Sequence, residues 1–303
     1  MNATTLRIIF ASALAGTLAA CGGSDDAPSP PPAPVPAPAP PPVDPLAGKR
    51  SVQFAEAPLA FNEMADASVF FVTDDDVHVL ASADICNTGN ATVTLDGAAV
   101  AVGTQLPIGN HVIAGTFNGC STIFNSTLTG NSSYTYSAPT SILTNITATA
   151  NANGMRRLAT SAAGDAVDWT STGSGLYSFN EAVANGESTY TATFVPAAGA
   201  IVINNATGSA LTFVSGDFRE SSTLTISSGS FVRYSVEYRA LTFTAGGSTV
   251  VLDGTLTQTY GANNAITPSG GAQLSVAGAT AARITFNSQG RLTAEASANV
   301  PIW

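Results

Sequence analysis

The chain has 303 residues, of which 45% are hydrophobic and 10% are charged, and its formal net charge at neutral pH is −10. This balance excludes a highly charged disordered protein, a coiled coil and a small disulfide-stapled fold. The 10 Lys and Arg face 20 Asp and Glu. Because phosphate binding needs clustered positive charge, we expect no nucleic-acid partner.

The first twenty residues have the layout of a secretory signal peptide. Arg7 precedes an apolar run over residues 8–20, which is shorter than the roughly 20 residues that span a bilayer. The run ends in LAAC at residues 18–21, which resembles the lipobox of bacterial lipoproteins. The resemblance implies removal of residues 1–20, acylation of Cys21 (palmitate among the acyl chains), and, with Gly22 next, an outer-membrane lipid anchor. The alternative is an ordinary signal peptide followed by a chance cysteine.

A proline-rich linker follows. Residues 28–45 contain eleven prolines, which lack a donor N–H and fix φ, so neither helix nor sheet can form there. At about 3.1 Å per residue the stretch reaches roughly 55 Å. We therefore expect residues 21–47 to be a lipidated cysteine with a disordered linker.

The remaining residues, 48–303, show the alternation of an all-β domain with a mainly antiparallel sheet. Residues 231–238 (FVRYSVEY) alternate apolar and polar side chains, the pattern of a half-buried strand. Turn residues at 228–230, 245–247 and 287–290 predict hairpins, and Asp96-Gly97 suits a type I′ turn. Such a body is either a sandwich or a curved, partly closed sheet. Helical patterns are confined to residues 60–67 and 153–163.

A weak internal similarity links residues 89–97 (GNATVTLDG) to residues 247–254 (GSTVVLDG). Either the domain consists of two related halves, near residues 48–150 and 151–303, or both segments independently adopted the same strand-and-turn chemistry. The sequence leaves these two readings open.

Cys86 and Cys120 remain if Cys21 is lipidated. An even pair of cysteines outside the cytosol predicts a disulfide, which would stabilise the fold by roughly 3.5–4 kcal/mol in the chain-entropy model. Two free thiols or a metal-binding pair are the alternatives.

The chain resembles a group of secreted lipoproteins of proteobacteria. The resemblance rests on the Cys-Gly-Gly at residues 21–23, the linker, Cys86, the GTFNGC at residues 115–120 leading to LTG at 128–130, and the YSVEYRALTF at 234–243. It implies an envelope location and a β fold. It implies no activity, because that group has none assigned.

Catalytic motifs are missing from the sequence. There is no G-x-S-x-G, H-E-x-x-H or P-loop motif, and only His78 and His111 offer an imidazole base. Asp165 and Asp168 beside Trp169 have the composition of a glycosidase pair next to a sugar-stacking ring.

One further cluster has ligand chemistry. Asp74, Asp75, Asp76 and His78 are candidate ligands for a hard cation, although consecutive aspartates also suit a solvated hairpin tip. Two tyrosine pairs, Tyr134 with Tyr136 and Tyr234 with Tyr238, share strand faces and are expected in the core.

These observations predict a lipid-anchored envelope lipoprotein whose β-domain is a non-enzymatic structural, adhesive or binding module. We expect no catalytic residues and no cofactor. The membrane is the expected partner, together with a protein, a glycan or a small apolar ligand. The alternatives are an envelope hydrolase acting on glycan or ester, carried by a histidine or an acid pair, and a carrier of an apolar ligand.

Overall fold

The computed structural model describes residues 44–65, 67, 79–80, 86–100, 104–105, 107–121, 126–138, 145–162, 164–261 and 265–303. Residues 21–43 of the predicted linker, Cys21 among them, lie outside these ranges, as do Asp74, Asp75, Asp76 and His78; of the linker's last residues, Ala47 already belongs to a helix. No helix in the described part is both long and apolar enough to cross a membrane.

The described chain is all-β with one long helix. Its elements are, in order, α1 (Ala47–Ala65), β1 (Val79–Leu80), β2 (Thr88–Leu95), β3 (Ala98–Ala99), β4 (Thr104–Gln105), β5 (Gly109–Ser121), β6 (Thr127–Ala138), β7 (Asn145–Thr160), β8 (Ala166–Ala184), β9 (Glu187–Pro196), β10 (Ile201–Asn204), β11 (Ser209–Thr225), β12 (Phe231–Ala245), β13 (Ser248–Tyr260), β14 (Ile266–Val276), β15 (Ala279–Phe286) and β16 (Leu292–Ala296).

In the described part of the chain, fourteen strands form one antiparallel sheet in which most strands that are neighbours in the chain are also neighbours in space. The order runs from β16 through β11 to β8 and on to β5, β2 and β3, while β1 and β4 pair separately. Strands β9 and β10 both pair with β8 and β11, so they fill one position as two pieces of an interrupted strand. The division near residue 150 falls inside β7.

The alternation of apolar and polar residues correctly predicted which face of the strands is buried. In β12, Val236, Tyr238, Leu241 and Phe243 are buried, and Leu241 and Phe243 lie opposite Leu252 and Val250 as the hairpin pattern predicted. The hairpins through residues 226–230, 246–247 and 287–291 are confirmed.

The Asp96-Gly97 turn is confirmed as well. Both residues have positive φ, 49° and 81°, as a type I′ turn requires. The similar Asp253-Gly254 lies inside β13 instead of at a turn. The two segments therefore share their sequence pattern but not their local structure.

A line of bends crosses the sheet from β5 to β14. Each of strands β5 to β8 and β11 to β14 carries a residue of positive φ there, namely Gly119, Gly130, Gly154, Gly173, Gly216, Ala240, Gly254 and Gly270. Register shifts accompany several of them. Bulges and glycine kinks of this kind bend strands and increase their twist, so the line curves the sheet.

The sheet curves around α1. The helix contacts β6, β7 and β8 as well as β15 and β16. In a flat sheet β6 and β16, nine strand positions apart, would be separated by about 43 Å, whereas a helix of this length extends only about 28 Å. Of the two predicted architectures, the curved sheet is therefore the one found, with α1 on its inner face.

Helix α1 contains a proline that the inner face accommodates. Pro58 has no N–H and loosens the helical hydrogen bonds of the preceding turn. The Tyr238 hydroxyl donates to the Ala55 carbonyl in that turn at 2.8 Å, in a buried position. A strand residue thus bonds the carbonyl next to that of Phe54, the one that loses its helical donor at Pro58.

The prediction of helix over residues 153–163 is wrong. Residues 153–160 belong to β7, paired with β6 and β8, because ladder bonds on both sides outweigh the helix propensity of Met, Arg, Leu and Ala. The short helix expected at residues 60–67 is instead part of the nineteen-residue α1, which is stabilised by burial against the sheet.

Candidate functional site

The inner face of the sheet has a part that lies beyond α1, toward the hairpin turns at residues 185–186 and 226–230. There one row of directly opposed residues crosses five strands: Glu181, Tyr190, Ser222, Tyr234 and Gln258. We call these five residues the inner row. Residues opposed across antiparallel strands share a face and lie close together.

The aromatic members of this region are half-buried and have ring neighbours. Tyr190 stacks on Phe179, with ring centroids 6.0 Å apart and an interplanar angle of 27°. Tyr234 lies 6.5 Å from Phe286, and Tyr260 lies 5.8 Å from Phe231. The region therefore presents rings rather than aliphatic chains.

Hydrogen bonds fix the polar members. The Tyr234 hydroxyl donates to Glu220 Oε1 at 2.7 Å, and the Ser188 hydroxyl donates to Glu181. The Gln258 amide donates to the Gly290 carbonyl at 2.8 Å and accepts from the Tyr260 hydroxyl at 2.7 Å. Rings and oriented oxygen atoms thus alternate along the face.

Burial keeps the phenol groups in their neutral, donating form. It raises the pKa of Tyr260 to about 12 and the pKa of Tyr238 well above its ordinary value. Both hydroxyls therefore remain hydrogen-bond donors throughout the physiological range.

His111 is bound in a turn and is not arranged as a base. Its Nδ1 lies 2.7 Å from Asp96 Oδ2, and its Nε2 lies 3.1 Å from the Ile108 carbonyl oxygen. Both partners are acceptors, so both hydrogen bonds form only when the ring is protonated and both nitrogens donate. Hydrogen bonding to Asp96, and then to Ile108, raises the pKa of His111 above 6.5. Neither nitrogen is left to take a proton from a nucleophile.

Asp165 and Asp168, the candidate acid pair beside Trp169, each form a separate ion pair with a basic side chain. Asp165 binds Lys49 at 2.7 Å, and Asp168 accepts from Arg156 at 2.8 and 2.6 Å. Trp169 is only 1% exposed, because it packs on Trp303 with centroids 5.3 Å apart. It offers no open ring to a sugar.

The remaining predicted residues fall into three groups. Cys86 and Cys120 form a disulfide that joins the chain entering β2 to β5. Tyr134, Tyr136 and Tyr238 are core residues as predicted, each at most 3% exposed, whereas Tyr234 is half-buried. Within the described ranges no three His, Cys, Asp or Glu side chains form a group able to hold a metal ion.

Sequence reasoning missed most of the inner row. The alternation in β8 places Tyr177, Phe179 and Glu181 on one face, and this shared face could have been predicted from the sequence. The alignment of Glu181 with Tyr190 on β9, and of Tyr190 with Ser222 on β11, follows from strand register, which the sequence alone does not specify.

Comparison with protein-family models, with characterised proteins and with solved structures finds no match to this chain.

Proposed function

We propose that the chain is a lipoprotein of the bacterial cell envelope, anchored through Cys21 to the outer membrane. Its β-domain is a non-enzymatic binding module whose ligand contacts the partly exposed members of the inner row, Glu181, Tyr190, Ser222 and Tyr234, beside the buried Gln258. The LAAC sequence and the proline-rich linker support the anchor. The supporting observation for binding is the inner row itself, where half-buried rings alternate with carboxylate, hydroxyl and amide groups.

The chemistry of this surface suits a ligand with apolar faces and hydroxyl groups, such as a glycan. Aromatic rings stack on the apolar faces of sugar-like molecules, and oriented carboxylate groups bind hydroxyls. A purely apolar ligand would leave the Glu181 and Glu220 carboxylates desolvated at a cost. The row therefore favours an amphipathic ligand over a wholly apolar one.

The anchor is tested by Cys21→Ser in a bacterial host fed a palmitate analogue. We expect the wild-type chain to take up the label and to sediment with membranes, and the variant to do neither. Membrane association of an unlabelled variant would contradict the proposed attachment.

Binding is tested with envelope glycan fragments on purified protein, by calorimetry or ligand-observed NMR. Tyr190→Ala and Glu181→Gln change the inner row, while Thr191→Ala changes the neighbouring outward-facing position on the same strand. We expect the first two variants to lose binding at least tenfold and the third to bind as the wild type does. Equal affinity in all three would show that the ligand lies elsewhere.

A further inference from the structure

A seam of polar side chains runs along α1. Lys49, Glu56 and Glu63 are each seven residues apart, so they lie near one side of the helix, two turns from one another. Their partners lie on β7, just before β6, or in the turn that follows β7. The seam fixes the register in which the helix lies along the strand.

The two ends of the seam are satisfied ion pairs. Lys49 Nζ lies 2.7 Å from Asp165 Oδ1, near the surface. Glu63 is buried, and it accepts from Arg157 Nε at 2.7 Å and from the Ser126 hydroxyl at 2.5 Å. At each end of the seam, the charged side chain of α1 therefore has a partner of opposite charge.

The centre of the seam is different. Glu56 Oε1 accepts from the Ala162 backbone N–H, but Glu56 Oε2 is buried without a hydrogen-bond partner in the described part of the chain. A buried, incompletely bonded carboxylate costs more free energy than the protonated carboxyl group in the same place, because burial penalises the charged form most.

We propose that α1 is a proton-sensitive latch: a proton on the Glu56 carboxyl holds the helix on β7, and loss of that proton loosens the helix from the sheet. This device is independent of any ligand and of the lipid anchor.

Burial and the neighbouring charges set the pH at which the latch works. Burial, opposed by the Ala162 N–H and the Arg157 charge and assisted by the Asp165 charge, raises the pKa of Glu56 from 4.5 to about 7. Tyr238 on β12 is neutral at these pH values. The docked helix holds the proton more tightly than the loosened helix, so docking weakens as pH rises from 4.5 through 7.

Hydrogen exchange with mass spectrometry tests the latch. Protection of α1 peptides is measured at pH 6 and pH 8 after correction for intrinsic exchange rates, with peptides of β13 as the internal reference. If the loosened helix has an ordinary carboxyl pKa, we expect about a tenfold loss of α1 protection between these pH values. The β13 peptides should not show this loss.

Two variants complete the test. Glu56→Gln keeps the acceptor for Ala162 without a titrating group, and its α1 protection should stay at the wild-type pH 6 level at both pH values. Glu295→Gln changes an exposed carboxylate on β16 and should retain the wild-type loss. Constant protection in the wild type, or the same loss in Glu56→Gln, overturns the proposal. The wild-type profile alone decides the question if the glutamine variant does not fold.

Discussion

The inner face of the sheet has two ends built from the same long strands, and they differ in what lies opposite them. At one end Phe243 packs against Phe54 of α1 and Phe213 packs on Phe243, and Trp303 packs on Phe54 and on Trp169, with centroids 5.2–6.1 Å apart. At the other end, around the inner row, rings of the same kind are half-buried and share the surface with carboxylate and amide groups.

This difference separates two properties that alternation alone does not distinguish. Period two decides which face of the sheet a side chain occupies. Whether that face becomes core depends on a covering element, here α1 and the C-terminal residues. The other end, which no element of the described residues covers, has half-buried aromatic rings with polar partners, and it is the end where we propose that the ligand binds. We call it the uncovered end.

The largest expected effect comes from removing one ring at each end. Phe213→Ala opens a cavity beside Phe61 and Phe243, and we expect the free energy of unfolding to fall by about 3–5 kcal/mol. Phe179→Ala removes a half-buried ring from the uncovered end, and we expect a loss of about 1 kcal/mol. Urea denaturation of both variants checks the difference, and equal losses would contradict the assignment of the two ends.

The two edges of the sheet offer a second comparison. The β16 edge is covered by α1, where Gly48 approaches the Ala294 carbonyl. The β2 edge is joined to β5 by the Cys86–Cys120 disulfide. The disulfide closes a loop of 34 residues. We therefore expect the double variant Cys86→Ala, Cys120→Ala to have a free energy of unfolding lower by up to about 3.8 kcal/mol. Denaturation of the double variant, beside the reduced wild-type protein, measures this contribution. A double variant as stable as the oxidised wild type would show that the cross-link is dispensable.

The conformation of local turns could be predicted from the sequence, whereas the packing of elements that are distant in the chain could not. Asp96-Gly97 and the Ser228-Gly229 turn contain the residues that their backbone conformations require, so those turns could be predicted. The Cys86–Cys120 pair could be predicted from cysteine number together with the expected location outside the cytosol.

The failures have one physical cause. Residues 153–160 have helix-forming composition, but their conformation is decided by ladders to β6 and β8, which lie outside the local window. Likewise, Glu56 looks like any surface glutamate in the sequence AEAP, and only the packing of α1 on β7 buries its Oε2. The inner row needs the register of five strands, which no single segment encodes.

Substitutions in the line of bends test whether the curvature of the sheet depends on particular glycines. A Cβ on Gly216 would meet the Ala240 carbonyl oxygen at 2.4 Å, at a φ of +89°, so we expect Gly216→Ala to destabilise the fold by about 2–3 kcal/mol. Gly199 has a similar φ of +87° but open space around it, so Gly199→Ala isolates the backbone strain, about 1 kcal/mol. Thermal unfolding compares the two variants. Equal losses would mean that close approach at the bend contributes nothing.

Ala240 provides the converse test at the same bend, since it adopts a φ of +45° that favours glycine. We expect Ala240→Gly to change stability little or to raise it by up to about 1 kcal/mol, as relief of strain offsets the added flexibility of the unfolded chain. A marked loss in thermal unfolding would show that the Ala240 methyl group has a packing role at the bend.

The smallest expected effect is a pH dependence at the edge that α1 does not cover. Hydrogen bonding to His111, and then to the Val112 N–H, lowers the pKa of Asp96 below 3.8, while Asp96 in turn raises the pKa of His111 above 6.5. The folded chain therefore holds the His111 proton where the unfolded chain loses it, so this contribution is complete below pH 6.5 and declines as pH rises through the folded value. The Asp96 contribution is complete above pH 3.8 and declines as pH falls through its lower folded value. In a Glu56→Gln background, we expect the stability of the fold still to decline as pH rises above 6.5, and we expect His111→Asn to remove that decline. We also expect the His111 ring resonances in NMR to titrate above pH 6.5. Titration below that value would contradict the doubly donating ring, because an imidazole that accepts at Nε2 cannot be bonded to the Ile108 carbonyl.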